Sequence, residues 1–253
     1  MKLIFKCILF LFFCSNIYVS CNTYKNNNIQ FSPEINLFRY IYDRRDNDFF
    51  PWHGIYYFPV IKILGWSEDG KIAYLIIERH SLRTPLFVRF IIFDFVDNKI
   101  ILQNITETTL YEIHSMHELF EYSYNLNNID NILLEYNIKN IHVEYNQMPI
   151  HFNNKIYSIK VEKITNDEIF MKYDDTEYKI VLNYSIIVET DGKEKIVLSK
   201  NFEYSDHIEE IYVCGYFISP FENRVLIIVA EKDYTGHERE LRYVFIGLHL
   251  YSK

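Results

Sequence analysis

Three carboxylates close two long apolar runs of this chain. Glu78 follows Ile72–Ile77, and Glu231 and Asp233 follow Val225–Ala230. Two such groups brought together would suit hydrolysis by general acid–base chemistry, because their surroundings can hold one protonated and the other ionised. Arg79, His80 and Lys232 stand beside them. The plainer explanation is that charged residues end strands where the chain turns to solvent. That explanation governs the reading, and no catalytic residue is assigned.

Other chemistry-bearing residues fall short of a motif. His114, His117, Glu118 and Glu121 lie close in sequence but lack the His-Glu-x-x-His spacing that sets two imidazoles on zinc. Asp167-Glu168 and Asp174-Asp175 lack the alternating oxygen ligands of a calcium loop. Ser67 and Ser219 sit in turns without the Gly-x-Ser-x-Gly elbow that exposes a nucleophile. Neither a Walker loop nor Gly-x-Gly-x-x-Gly is present, so no phosphate cradle is expected. No metal and no cofactor is expected. Phe49, Phe50, Trp52 and His53 form an aromatic loop suited to recognition, since large aromatics anchor interfaces.

The N-terminus places this chemistry in a compartment. Lys2 and Lys6 precede the apolar run Ile8–Phe13, which is too short for a comfortable transmembrane helix and reads as an export signal over 1–21. Val19-Ser20-Cys21 resembles the cleavage site of bacterial lipoproteins, although Tyr18 stands where Leu is usual. The resemblance implies lipidation at Cys21 and anchoring to a membrane of the cell envelope. Ordinary cleavage would leave a soluble periplasmic or secreted protein. Cys214 is then a lone buried thiol, or the partner of Cys21 in a disulfide. The net charge of −8 falls to about −10 once Lys2 and Lys6 leave, which argues against general nucleic-acid binding.

The elements that carry these residues are mostly strands. Residues 22–34 are polar and Asn-rich and read as a tether. Residues 35–253 read as a single β-rich domain. Asp69-Gly70 is a hairpin signal, because Gly takes positive φ without steric cost. It delivers Ile72–Ile77, a continuous apolar run of the kind buried on both faces. Ser219–Arg224 is again a turn and delivers Val225–Ala230. Glu78 matches Glu231, and Arg89 matches Arg242, both at a step of 153 residues.

Trp66-Ser67-Glu68-Asp69-Gly70-Lys71-Ile72-Ala73-Tyr74 resembles the repeat of TolB-like and WD40-like β-propellers, with Glu68 in place of Pro. Phe93-Asp94-Phe95 resembles the third strand of such a blade. The second copy keeps Ser219-Pro220. The resemblance implies blade-like antiparallel sheets and a platform for interaction. A closed propeller needs about four blades, so two units point to another packing.

Thr106–Tyr136 is the helical stretch, read as an insertion covering the sheet. Leu110, Ile113, His117, Phe120 and Tyr124 step by three and four. Thr109 and Glu112 match a capping box, and Asn127-Asn128 breaks the helix. Beyond it, Ile156–Val161, Tyr178–Leu182, Ile186–Val188 and Ile196–Leu198 read as strands of an antiparallel meander, with a hairpin at Asp191-Gly192. The expected protein is mainly β. Its expected function is non-enzymatic binding or structure in the envelope, with an unidentified envelope protein or ligand as partner. The alternatives are an exported hydrolase or a ligand-binding lipoprotein.

Overall fold

The structure is a computed structural model. It describes residues 56–57, 60–78, 86–108, 116–166, 171–173, 176–203, 206–234 and 239–250. All fall within the second of the chain's two compact units, Ser32–Lys253. The aromatic loop at Phe49–His53, Cys21, His80, His114, Asp167-Glu168, Asp174-Asp175 and the capping box lie outside the described residues.

The expected mainly β fold is what forms, and its sheets do not close. β2 (Val60–Trp66), β3 (Lys71–Glu78), β4 (Leu86–Asp94) and β5 (Lys99–Thr108) make an antiparallel meander, here called the N-terminal sheet. β13 (Ile208–Ile218), β14 (Arg224–Tyr234) and β15 (Arg239–His249) form the central sheet. Its two edges carry two-residue strands, β1 (Tyr56–Tyr57) on β15 and β6 (Tyr145–Asn146) on β13. β7 (Ile150–Phe152), β8 (Lys155–Thr165), β11 (Val181–Thr190) and β12 (Lys193–Asn201) form a third, distal sheet. A short hairpin joins β9 (Met171–Tyr173) to β10 (Thr176–Tyr178).

The central sheet is buried on both faces, and the sequence says why. In a strand alternate side chains point to opposite sides. Leu226, Ile228 and Ala230 pack under Trp66, Tyr74 and Phe93 of the N-terminal sheet. Val225, Ile227 and Val229 pack on Tyr157, Tyr184 and Ile186 of the distal sheet. Two aromatic contacts anchor the upper layer: Trp66 meets Phe217 edge-on at 6.1 Å, and Tyr74 meets Phe245 at 4.5 Å. The other face of the N-terminal sheet, with Leu75, Ile77, Val88 and Phe90, is also buried.

The helices are α1 (Met116–Leu126) and α2 (Ile129–Glu135). Lys62 points to the α1 side of the N-terminal sheet, its Nζ 4.8 Å from the Phe120 ring. Asn128 breaks the pair as expected, with φ of 50° in the left-handed region that Asn tolerates. The helical stretch does not begin at Thr106. Residues 106–108 finish β5, where Thr106 pairs with Val88 and Thr108 with Leu86. β-branched Thr favours the sheet, and the pairing decides it. Thr106 then receives the Asn127 amide at 2.8 Å, tying α1 down to β5.

The two turns and the strands that follow them make corresponding hydrogen bonds. Ser67 donates its N–H to the Lys71 carbonyl at 2.9 Å, and Ser219 donates to Arg224 at 2.9 Å. Phe95 donates to Gly70 and Leu250 donates to Asn223. β14 therefore follows β3 at a step of 153, since Lys71 answers to Arg224 and Gly70 to Asn223. β15 follows β4 at a step of 155, since Phe95 answers to Leu250. Glu78 and Glu231 are equivalent, but Arg89 and Arg242 are not. Glu78 stands opposite Phe87, whereas Glu231 stands opposite Arg242. A slip of two keeps every side chain on its face, which is why the sequence match survived it.

The two meanders stack in the same sense. The β3 residues whose backbone turns to β4 send side chains onto the central sheet, as Ile72 and Tyr74 do. Their equivalents in β14, Val225 and Ile227, send side chains onto the distal sheet.

Candidate functional site

The candidate site is where Glu231, Lys200 and Tyr184 meet between the central and distal sheets. Val229 points to the distal sheet, so Glu231, two residues on, does too. Tyr184 and Lys200 are register partners on β11 and β12 and share the opposing face. The Tyr184 hydroxyl donates to Glu231 Oε1 at 2.7 Å. Lys200 Nζ donates to both carboxylate oxygens, at 2.7 and 2.8 Å. Phe202 completes the group. Its ring stacks on Tyr184 at 5.7 Å, and Lys200 Nζ lies 4.9 Å from its centroid.

The electrostatics follow from burial. Glu231 is 1% exposed, while Lys200 keeps 39% of its side chain in solvent. A carboxylate taken out of water is costly unless charges and hydrogen bonds replace the lost hydration. Lys200 supplies the charge and Tyr184 the extra donor. Burial, then the Glu231 charge, push the Tyr184 hydroxyl far above its ordinary pKa, so it stays a donor.

Neighbouring carboxylates are held in the same manner. Asp233, 2% exposed, accepts from Arg242 at 2.5 Å along a diagonal of the β14–β15 ladder. Lys232 turns to the opposite face and pairs with Glu209 at 2.9 Å, both nearly buried. Glu78 pairs with Arg89 at 2.6 Å. By alternation from Tyr74 and Ile76, Glu78 lies on the N-terminal sheet's inner face, above the central sheet. Glu231 and Asp233 project below it. The structure brings Glu231 and Asp233 onto one face and does not bring Glu78 to them. Burial and then the Glu78 charge raise the Tyr74 hydroxyl well above its ordinary range.

The two repeat turns meet at one end of these layers. The Lys139 backbone pairs with Trp66, and its Nζ reaches Glu68 at 2.5 Å and lies 5.5 Å from the Phe221 ring. Ser67 is fully buried and receives the Lys71 N–H at 2.8 Å, while Ser219 receives the Phe221 N–H at 3.3 Å. Both serines brace turns. Asp69 accepts from Lys71 and Ser67, which hold its carboxyl below the usual range.

The remaining sequence candidates are scattered. His117 and Glu118 lie in α1, and Glu121 is exposed there. Among the described residues no group of three or more His, Cys, Asp or Glu stands together as metal ligands. Cys214 is buried. Sequence reasoning missed Tyr184, Lys200 and Phe202. Their signal was faint: an aromatic and a lysine on strands joined by the Asp191-Gly192 hairpin, at positions that pairing sets opposite one another.

Comparison with known proteins adds no name to this geometry: neither a family model, nor a curated protein, nor a solved structure matches the chain.

Proposed function

We propose that this chain is a non-enzymatic binding or structural protein of the bacterial cell envelope, exported by residues 1–21 and anchored through a lipid on Cys21. One observation supports the non-enzymatic part. The strand-end carboxylates that would do hydrolytic chemistry are occupied, Glu231 by Lys200 and Tyr184, Asp233 by Arg242 and Glu78 by Arg89. A general acid or base must reach a substrate proton. Glu231 is buried behind its own partners, Asp233 on the same face is held by Arg242, and Glu78 lies on the opposite side of the central sheet from both. The stacking of two related meanders in one sense supports the resemblance to blade-like repeats, which serve as platforms, although a fold alone does not fix a function. The partner is an envelope protein or ligand, with no role for nucleic acid.

The test is the intact mass of the mature protein taken from its own envelope. A chain starting at Cys21 and heavier by acyl groups is expected. An unmodified chain would remove the anchor and favour a soluble periplasmic or secreted protein. Hydrolysis of an envelope polymer that is lost in Glu78→Gln or Glu231→Gln, with folding intact, would overturn the non-enzymatic reading.

A further inference from the structure

The outer edge of β15 is engaged at its two ends. Gly247 donates its N–H to Asn98 Oδ1 at 2.6 Å and accepts from Asn98 Nδ2 at 3.4 Å. Its backbone therefore turns away from β14, and the period of two turns Phe245 and Tyr243 the same way. The Asn98 side-chain amide occupies Gly247 as a neighbouring strand's peptide group would. At the other end β1 pairs in parallel with Arg239 and Glu240. Between these two stops, no pairing strand lies along Tyr243 and Phe245 among the described residues.

The neighbouring sheets show what the position is shaped for. The N-terminal and distal sheets each have four strands, with β5 beside β4 in the first. Among the described residues, the equivalent place beside β15 holds the two residues of β1 and the Asn98 amide. β4 lies over β15, with Phe93 and Phe245 rings 6.3 Å apart, so β5 overhangs the open edge. Ile100 and Ile105 stand opposite Phe93 and Arg89, on the side of β5 turned toward the central sheet. They are 52% and 55% exposed, as a ledge with nothing beneath it would be. Glu107 shares that side and is exposed.

We infer that this edge takes an extended peptide segment of a partner protein, which adds to β15 as a strand between β1 and Asn98. Backbone bonds to Tyr243 and Phe245 would give affinity, and pockets for alternate side chains would give selectivity, as in β-augmentation generally. The slot spans roughly 20 Å at the rise of a strand, about six residues. Its occupant carries apolar side chains at alternate positions, against Ile100 and Ile105, and a basic one toward Glu107. A strand already accepted at Arg239–Glu240 makes the added segment a continuation of an existing pairing. The inference rests on the reading of the chain as a binding protein, and not on its export or anchoring.

The test selects a displayed library of random ten-residue peptides against the full mature protein, then follows amide exchange. Selected peptides are expected to alternate apolar and polar residues. They should slow exchange of the Tyr243 and Phe245 amides at least tenfold. Ile105→Lys, on the exposed ledge, should abolish selection with the melting temperature unchanged, and Ile100→Lys gives the same reading independently. No enrichment, or enrichment indifferent to both variants, would overturn the slot. So would slow exchange without peptide, whether independent of protein concentration (the chain's own residues fill the edge) or rising with it (a second copy does). If the slot fails while envelope cross-linking still yields a partner dependent on another surface, the binding reading stands without it.

Discussion

Glu231 and Lys200 join two different sheets: one ammonium, carried by the edge strand of the distal sheet, spans both oxygens of a carboxylate buried in the central one. The pair is a fastening between layers whose shared core is apolar. Removing its cation leaves the carboxylate with a single hydroxyl donor. Lys200→Met should cost about 3 kcal/mol in urea unfolding, the scale for breaking one partner from a buried pair. Lys200→Met with Glu231→Leu should recover most of that loss, because two apolar groups need no hydration. A double variant as unstable as the single one would mean that the pair acts through something other than desolvation.

Gly247 and Gly192 offer a controlled contrast. A Cβ on Gly247 would overlap the Phe95 carbonyl, backbone that cannot swing aside. Gly247→Ala should force the N-terminal and central sheets apart and cost about 3 kcal/mol, the upper range for overpacking. Gly192 has φ of +70° in the hairpin turn and open space around it. Gly192→Ala should cost only the left-handed backbone penalty, about 1 kcal/mol. Thermal melts of the two variants should rank in that order.

Asp69 gives a pH test with a definite sign. Lys71 and Ser67 hold its carboxyl below the ordinary value of 3.8. A lowered folded pKa stabilises the protein above that ordinary value, and the contribution is lost as pH falls through the folded pKa. The group is mostly exposed, so the effect stays within about 1 kcal/mol, as for surface pairs. Asp69→Asn should be slightly less stable than the parent at pH 7 and indistinguishable from it well below pH 3.8. A difference that grows on acidification would contradict the assignment.

β12 ends the distal sheet, and lysines stand along it. Lys193 and Lys195 precede the exposed Ile196. Lysine on an edge strand discourages pairing with another chain. Lys193→Val with Lys195→Val should leave unfolding stability within about 0.5 kcal/mol per substitution of the parent, the usual range for surface changes, yet raise the rate of aggregation in light scattering at raised protein concentration.

Much of the architecture could be read from local patterns. Ile72–Ile77 and Val225–Ala230 are continuous apolar runs, and both prove to be buried on two faces. Asp191-Gly192 closes the β11–β12 hairpin as its residue types require, with positive φ at both positions. The correspondence of β3 and β14 was legible because Glu78 and Glu231 end strands that make matching hydrogen bonds. The arginine match was a coincidence of spacing: β15 is shifted by two against β14, and no local residue announces a register. The helix boundary was misplaced for a related reason. Thr106 has a weak preference of its own, and the ladder to Val88 overrode it. Tyr184, Lys200 and Glu231 were invisible as a group because Tyr184 and Glu231 stand 47 residues apart. Only the stacking of separate sheets brings them together.

The chain order of these layers has a consequence for biogenesis. The long strands β13, β14 and β15 supply the middle of the stack, yet they are the last of the described strands to be synthesised. Until residues 208–249 emerge, the N-terminal sheet and the distal sheet each present an apolar inner face with no filling between them. A nascent chain therefore stays unsealed until those residues have emerged. Completion of the fold thus waits on residues 208–249, and their loss should be more damaging than loss of a peripheral layer.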